Sequence, residues 1–310
     1  MLTKSWFQIS LEKHGQLALG TANLSPNDPL LPDAAAIILE AINCGVRIID
    51  TASNYEDGNA EYLIGNLQKQ IRADVLVLTK AGQKTNNETL ENNEYNSDGG
   101  IRHWSFDLPS IESSIAESQN RLQRDYIDCV FLHNPEDILV EENEILPVLM
   151  PAIEYLERLS RVGVIGCWGI SSWSGFFSKN PKPAKIQLNS LVDCLEAYER
   201  KHHFLAIQFP FGTWNLNAIR QKGQYSKTNR SFETLFTAAN RRGISCLVNS
   251  PFQGGDNLPK PAINSIQPTP AQKEILHLHQ LAPLATRVIG MRSKKSIEEI
   301  KYLQDYIRNE

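Results

Sequence analysis

Val75-Leu76-Val77-Leu78-Thr79-Lys80 is the stretch on which the fold turns. Four apolar residues stand in succession with no polar alternation. A strand with one wet face alternates, whereas a continuous apolar run is buried on both faces, as in a parallel sheet covered by helices. Similar runs recur along the chain at Leu17–Thr21, Val46–Asp50, Ile127–Leu132, Val164–Ile170, Leu205–Gln208, Ile244–Val248 and Arg287–Gly290. Helix-like stretches lie between and after them, at about 33–44, 59–70, 108–122, 142–161, 188–202, 231–242, 271–282 and 294–308. Caps mark several helix starts: Asp33, Asp107 before Leu108-Pro109, Thr269 before Pro270, and either Ser293 or Ser296. Gly45, Gly163 and Gly243 precede strands, as left-handed helix ends do. Eight strands each followed by a helix predict a closed (β/α)8 TIM barrel, one domain across 1–310. A doubly wound open sheet is the other candidate. Against it, no Gly-x-Gly-x-x-Gly opens a helix, and Gly15 to Gly20 lacks the middle glycine.

The opening segment, with Phe7-Gln8-Ile9-Ser10-Leu11 and then His14-Gly15, reads as an N-terminal β-hairpin plugging one end of the barrel. A plain barrel takes about 250 residues, and this chain has 310. Three long connections, 81–107, 209–230 and 250–270, absorb the surplus. Each follows a strand, so all three are long βα loops at the C-terminal face, read as a lid and a substrate pocket.

Composition narrows the functional classes. The chain is 41% apolar and 21% charged with net charge −4, so it lacks the basic surplus of a nucleic-acid binder. No apolar run approaches the roughly 18 residues of a membrane span. Met1 to Gln16 lacks a basic segment followed by an apolar core, so no signal peptide is expected. Cys44, Cys129, Cys167, Cys194 and Cys246 are odd in number, form no Cys-x-x-Cys pair and mostly sit in apolar runs. They read as buried thiols of a cytoplasmic protein, and no metal site is expected.

In a parallel barrel the chemistry lies where strands end. Strand two ends in Asp50, with Tyr55 five residues on. Strand three ends in Lys80, strand four in His133, strand five in Ser171-Ser172 and strand six in Gln208. Singly, each has a scaffold explanation: Asp50 a helix cap, Tyr55 a loop aromatic, Lys80 a solvated lysine, His133 a hydrogen-bonded structural residue. Four titratable groups on neighbouring strand ends are harder to attribute to the scaffold. A buried Lys80 needs a counter-charge, and Asp50 is at hand. An ammonium beside Tyr55 favours phenolate and is expected to pull the phenol below its usual value near 10. Such a tyrosine gives a proton to a substrate oxygen or takes one back, while His133 orients that oxygen. This suits a carbonyl becoming an alkoxide, and so hydride transfer from a bound nicotinamide.

Over nearly its whole length the chain resembles the aldo/keto reductase superfamily. The likeness rests on Leu19-Gly20-Thr21-Ala22, on Gly45-Val46-Arg47-Ile48-Ile49-Asp50-Thr51-Ala52-x-x-Tyr55, and on Gly58-x-x-Glu61-x-x-Ile64-Gly65. Thr79-Lys80, Asp125-Tyr126-Ile127-Asp128 leading to Leu132-His133, Gly169-Ile170-Ser171, Ile207-Gln208 and Ser250-Pro251-Phe252-x-Gly254-Gly255 extend it. The resemblance implies a barrel that binds NADP, with NAD as the other option. It makes Asp50, Tyr55, Lys80 and His133 a catalytic tetrad with Tyr55 the general acid. It also implies cofactor contacts at Gly20, Thr21, Ser171, Ser172, Gln208, Asn249, Ser250, Phe252, Gly254, Gly290, Arg292 and Glu299. Arg292 would hold a 2′-phosphate, or else is an exposed arginine at a helix start.

The chain departs from that family at the cofactor. Ser172 stands where an asparagine is usual, Asn249 where an aromatic is usual, and Ser296 and Ile300 where an arginine and an asparagine often grip adenosine. The reading is therefore an NAD(P)H-dependent reductase of an aldehyde or ketone, or in reverse a sugar or alcohol dehydrogenase. The alternative is a cofactor-binding regulatory subunit of the same fold with little turnover. A lyase using Lys80 as a Schiff base fits less well, because that chemistry does not need Asp50 and Tyr55. The expected partner is a small carbonyl or sugar-like substrate, with no nucleic acid and no membrane; Trp104, Phe106, Phe211, Trp214 and Tyr225 read equally as stacking residues for it or as loop-packing residues. Oligomeric state is open.

Overall fold

Eight short strands meet edge to edge and close on themselves in the computed structural model, which describes residues 5–14, 17–24, 33–83, 104–138, 145–179, 182–198, 201–255 and 268–309. They are β1 (Leu17–Gly20), β2 (Ile48–Asp50), β3 (Leu76–Ala81), β4 (Ile127–His133), β5 (Ile165–Ser171), β6 (Phe204–Pro210), β7 (Ser245–Asn249) and β8 (Thr286–Gly290). Every neighbouring pair is parallel, and the ring runs in chain order, with β8 returning to β1. An open sheet is thereby excluded.

Alternation sorts each strand into two cores. Ala18, Ile48, Leu76, Leu78, Cys129, Phe131, Cys167, Ala206, Leu247 and Val288 fill the barrel. The intervening residues, such as Leu19, Ile49, Val77, Val130, Trp168, Ile207 and Val248, pack outward against the helices. This is why Val75 to Leu78 must be apolar on both faces. The helices start where their caps predict. Asp33 accepts from the Ala36 amide at 2.8 Å and Asp107 from the Ser110 amide at 2.9 Å, while Thr269 and Gln272 form a reciprocal capping box. Ser293 rather than Ser296 caps the last helix, Lys294–Asn309, accepting from the Ser296 amide at 3.2 Å.

The N-terminal hairpin is corrected to a helix, Trp6–His14. Phe7 and Leu11 lie four apart, so a helix puts both on one face, and both enter the barrel-interior cluster. The Gln8 amide donates to Ser5 Oγ at 3.2 Å and the Ser5 amide to Gln8 Oε1 at 3.1 Å, a capping box that starts the helix. It still plugs one end of the barrel, and Gln8 Nε2 donates to the Gly243 carbonyl at 2.6 Å.

Of the long connections, the one after β6 holds a helical turn, Asn217–Arg220, and one strand of the antiparallel ribbon Gln224–Ser226/Ser231–Glu233. Much of the first and third connections, 84–103 and 256–267, lies outside the described residues. No helix among the described residues is long and apolar enough to cross a membrane.

Candidate active site

Two residues beyond the interior layer, the same alternation points a second ring of side chains into the barrel mouth. Gly20, Asp50, Lys80, His133, Gln208, Asn249 and Gly290 each stand two residues past an interior residue, and Ser171 stands four past Cys167. Asp50, Lys80 and His133 are 2%, 1% and 7% exposed, so charged groups here must satisfy one another. Lys80 Nζ donates to Asp50 Oδ2 at 2.8 Å, to the Thr51 carbonyl at 2.8 Å and to Tyr55 OH at 3.1 Å. Those three partners use all the donors an ammonium has. Gln208 Nε2 donates to the other Asp50 oxygen at 2.7 Å. Ser171 Oγ and Asn249 Nδ2 then donate to Gln208 Oε1 at 2.9 and 3.4 Å.

Tyr55 reaches this cluster from the turn Tyr55–Gly58, whose Glu56 and Asp57 both hold positive φ, 50° and 57°. Such backbone costs roughly 1–3 kcal/mol per residue and persists only where its surroundings enforce it. Part of that enforcement comes from Glu61, fully buried at the start of helix Asn59–Asn66. It accepts from Thr79 Oγ1 at 2.5 Å and from Arg121 Nε at 2.6 Å. The turn is thus tied to the residue before Lys80 and to helix Leu108–Leu122. The sequence reading gave Glu61 and Arg121 no role. The available signal was a glutamate flanked by Ala60 and Ile64 on the apolar face of its helix.

The electrostatics differ from expectation at one point. Burial raises the Tyr55 phenol above its ordinary value of 10.0; Lys80 pulls it down and Asp50 pushes it up, and the net direction is upward. The expected lowering by Lys80 is present but outweighed. Burial pushes Lys80 down, but Asp50 and Tyr55 more than offset this, so the ammonium is held above 10.5. Burial, with Lys80 nearby, drops the His133 imidazole well below 6.5. His133 is therefore neutral at physiological pH. Its ring meets that of Tyr55 edge-on, centroids 6.2 Å apart.

The structure brings Gly20, Thr21, Asp50, Tyr55, Lys80, His133, Ser171, Gln208 and Asn249 to one mouth. Thr21 is buried there, its hydroxyl donating to the Asp50 carbonyl at 3.1 Å. Ser172 turns to its own loop and accepts from the Gly175 amide at 2.8 Å. Ser250, Phe252 and Gly254 form a turn directly after β7, with Ser250 at φ 51° and Gly254 at φ 74°. Gly290 at the end of β8, Arg292 beyond it and Glu299 along the last helix are not part of the hydrogen-bonded network described above. Arg292 is exposed, Ser296 belongs to the helix cap, and Ile300 is buried in the outer core.

Of the candidate stacking aromatics, Phe106 and Phe211 are buried packing residues, and Tyr225 pairs with Phe232 on the ribbon. Trp104 is half-buried and packs against the outer core. Trp214 lies at the mouth, its Nε1 donating to the Ser250 carbonyl at 2.9 Å and its ring 6.2 Å from that of the half-exposed Trp173. Among the described residues no cluster of His, Cys, Asp and Glu is arranged to hold a metal ion.

Among known proteins, the chain is similar to the D-threo-aldose 1-dehydrogenase of Pseudomonas sp., 35% identical over 167 residues, 50% of this chain and 49% of that one. It is 24% identical over 305 residues, 92% of this chain and 85% of the other, to the "Probable voltage-gated potassium channel subunit beta" of Oryza sativa subsp. japonica. The chain spans about half the length of the first of these relatives. Among solved structures, the aldo-keto reductase from Klebsiella pneumoniae in complex with NADPH superposes with a TM-score of 0.65 at 19% identity, over 94% of this chain and 85% of that one. This last likeness is one of fold. A barrel whose mouth holds Asp50, Tyr55, Lys80 and His133 is what the sequence motifs imply, and residues 16–301 match the aldo/keto reductase family, to which the chain belongs.

Proposed function

We propose that the chain is a nicotinamide-dependent oxidoreductase, reducing an aldehyde or ketone or, in reverse, oxidising a sugar or other alcohol, with Tyr55 as general acid and base. One observation carries this reading: the buried Lys80 ammonium, anchored on Asp50, donates its remaining hydrogen bond to Tyr55 OH at 3.1 Å.

The mouth suits a polar ligand. Among the described residues His133 Nδ1 and Asn249 Oδ1 are buried without a hydrogen-bond partner, and such groups are costly unless a ligand satisfies them. A Cβ placed on Gly254 or Gly290 would meet none of the described residues within 4 Å, so backbone there is open to close approach. Ser171, Gln208 and Asn249 would take a carboxamide. Ser250, Phe252 and Gly254 would hold a pyrophosphate, and Gly290, Arg292 and Glu299 the adenosine end. NADP fits an exposed Arg292 best, with NAD the other option. The nicotinamide, when bound, supplies the hydride.

The chain's own residues handle the proton. As negative charge builds on the substrate oxygen, Tyr55 OH donates its proton to it. Lys80 stabilises the phenolate left behind, and Asp50 keeps Lys80 aimed. Neutral His133 can hydrogen-bond the same oxygen without adding a second positive charge beside Lys80. Water then returns a proton to Tyr55. In oxidation the same path runs backward, with phenolate as the base. A high resting Tyr55 pKa keeps the acid loaded for reduction.

Tyr55→Phe tests this. General acid catalysis contributes about 10²–10⁴-fold, so NADPH consumption at 340 nm with an aldehyde panel should fall by that factor. NADPH affinity, read by fluorescence quenching, should stay within about twofold. Retained turnover in Tyr55→Phe would sink the assignment. Tight NADPH binding with no turnover in the unaltered protein would favour the regulatory alternative.

A further inference from the structure

Gln208 makes a contact that the carboxamide-binding role above does not require. It lies on β6 and Asp50 on β2, and in a ring of eight these strands are four apart by either route. The 2.7 Å bond from Gln208 Nε2 to Asp50 Oδ1 therefore crosses the barrel from wall to wall. Gln208 is fully buried, and its amide has only one workable orientation. Ser171 Oγ and Asn249 Nδ2 both donate to Oε1, leaving Nε2 for the carboxylate; turned over, Gln208 would set a carbonyl against Asp50.

Asp50 is thereby gripped at both oxygens, by Gln208 on one and Lys80 on the other. A carboxylate held at one oxygen can rotate about its last bond, and one held at both cannot. Lys80 takes its direction from that carboxylate and from the Thr51 carbonyl, and its third and longest bond reaches Tyr55.

We propose that Gln208 is a positioning residue, a crossbar over the barrel mouth that locks the rotation of Asp50 and through it keeps the Lys80 ammonium on the Tyr55 hydroxyl. Ser171 and Asn249 hold the far end of the bar. A ligand carboxamide engaging Gln208 then acts on the same hydrogen-bonded chain that ends at Tyr55. This linkage rests on reading Tyr55 as the proton donor, but the geometry tested below does not depend on turnover.

Gln208→Met keeps the length and removes both polar atoms. Ser171→Ala is the milder variant, leaving only the 3.4 Å bond from Asn249 to hold the far end of Gln208. In nucleotide-free crystal structures of both, Asp50 should rotate and Lys80 Nζ should move beyond 3.5 Å from Tyr55 OH. Lys80 remaining within 3.5 Å of Tyr55 in both variants overturns the proposal. A second readout separates positioning from nucleotide binding. At saturating NADPH, kcat should fall at least tenfold in Gln208→Met. The alkaline limb of its pH profile should move up by at least half a pH unit, about a threefold change in an ionisation constant. Among the described residues Lys80, Asp50 and His133 are the groups facing Tyr55; in these variants Asp50 turns and Lys80 follows it, so the phenolate loses its stabilising ammonium while His133 stays in place. Full recovery of kcat and an unmoved limb at high NADPH would reduce Gln208 to a nucleotide contact. Persistent turnover in Tyr55→Phe would remove the proton-donor reading while leaving the crossbar to be judged on the crystal structures.

Discussion

Acid should loosen this protein through His133. The imidazole is 7% exposed and is held well below its ordinary 6.5, first by burial and then by Lys80. Once unfolded, the same imidazole takes up a proton near 6.5. Below that pH the unfolded state binds more protons than the folded one, so stability falls as pH falls. The loss begins at the unfolded value and continues down to the folded one, at about 1.4 kcal/mol per pH unit. At pH 5 it can reach about 2 kcal/mol at most, a large share of a typical 5–15 kcal/mol total. His133→Gln removes the titrating group and keeps a polar side chain of similar size. Urea unfolding of both proteins at pH 7.5, 6.5, 5.8 and 5.0 isolates the effect, because every other ionisable group is common to the two. The stability of the native protein relative to the variant should be nearly constant above pH 7 and decline from there to pH 5, by at most about 2 kcal/mol. A difference that stays flat would mean that His133 accepts a proton in place, and with it that the mouth is wet enough to dilute Lys80. The reasoning about a neutral hydrogen-bonding His133 would then fail.

Arg121→Met leaves Glu61 charged and fully buried with one ionic partner removed, which should cost about 3–5 kcal/mol in urea unfolding, while Arg121→Met with Glu61→Leu recovers more than half. Gly65→Ala would set a Cβ 2.1 Å from the Arg121 carbonyl oxygen, a backbone atom that cannot step aside. The helices Asn59–Asn66 and Leu108–Leu122 must then part, and a loss of about 1–3 kcal/mol should appear as a lowered thermal midpoint.

The barrel was legible because each of its rules is local. Val75 to Leu78 needs both faces buried, and the polar residue that follows such a run is forced to the mouth. Asp50, Lys80 and His133 could therefore be placed before any coordinates. Four things were not legible, each for a physical reason. Phe7 and Leu11 satisfy a period of four as well as an irregular strand, and only the Ser5–Gln8 cap, read from side-chain geometry, decides for the helix. Glu61 and Arg121 are 60 residues apart, and their pairing exists only because Gly65 lets two helices touch. The direction of the Tyr55 shift is a contest between desolvation and one neighbouring ammonium, and burial depth is not written in a motif. The crossing bond from Gln208 to Asp50 belongs with these, since it depends on a closed ring with two particular strands opposite each other.

The helix that stops the barrel's lower end is made first and seated last. Its socket includes Leu247 and Val288, and its Gln8 side chain fastens to Gly243, 235 residues downstream. At a synthesis rate of about 5–20 residues per second, Trp6–His14 waits roughly 12–47 s after emerging before that anchor exists. Through that interval Phe7 and Leu11 have no cavity to fill, so the nascent chain carries a greasy stopper without its bottle. The last strand of the ring to be made, β8, both closes the ring and adds Val288 to the seat, so neither is complete until it has emerged.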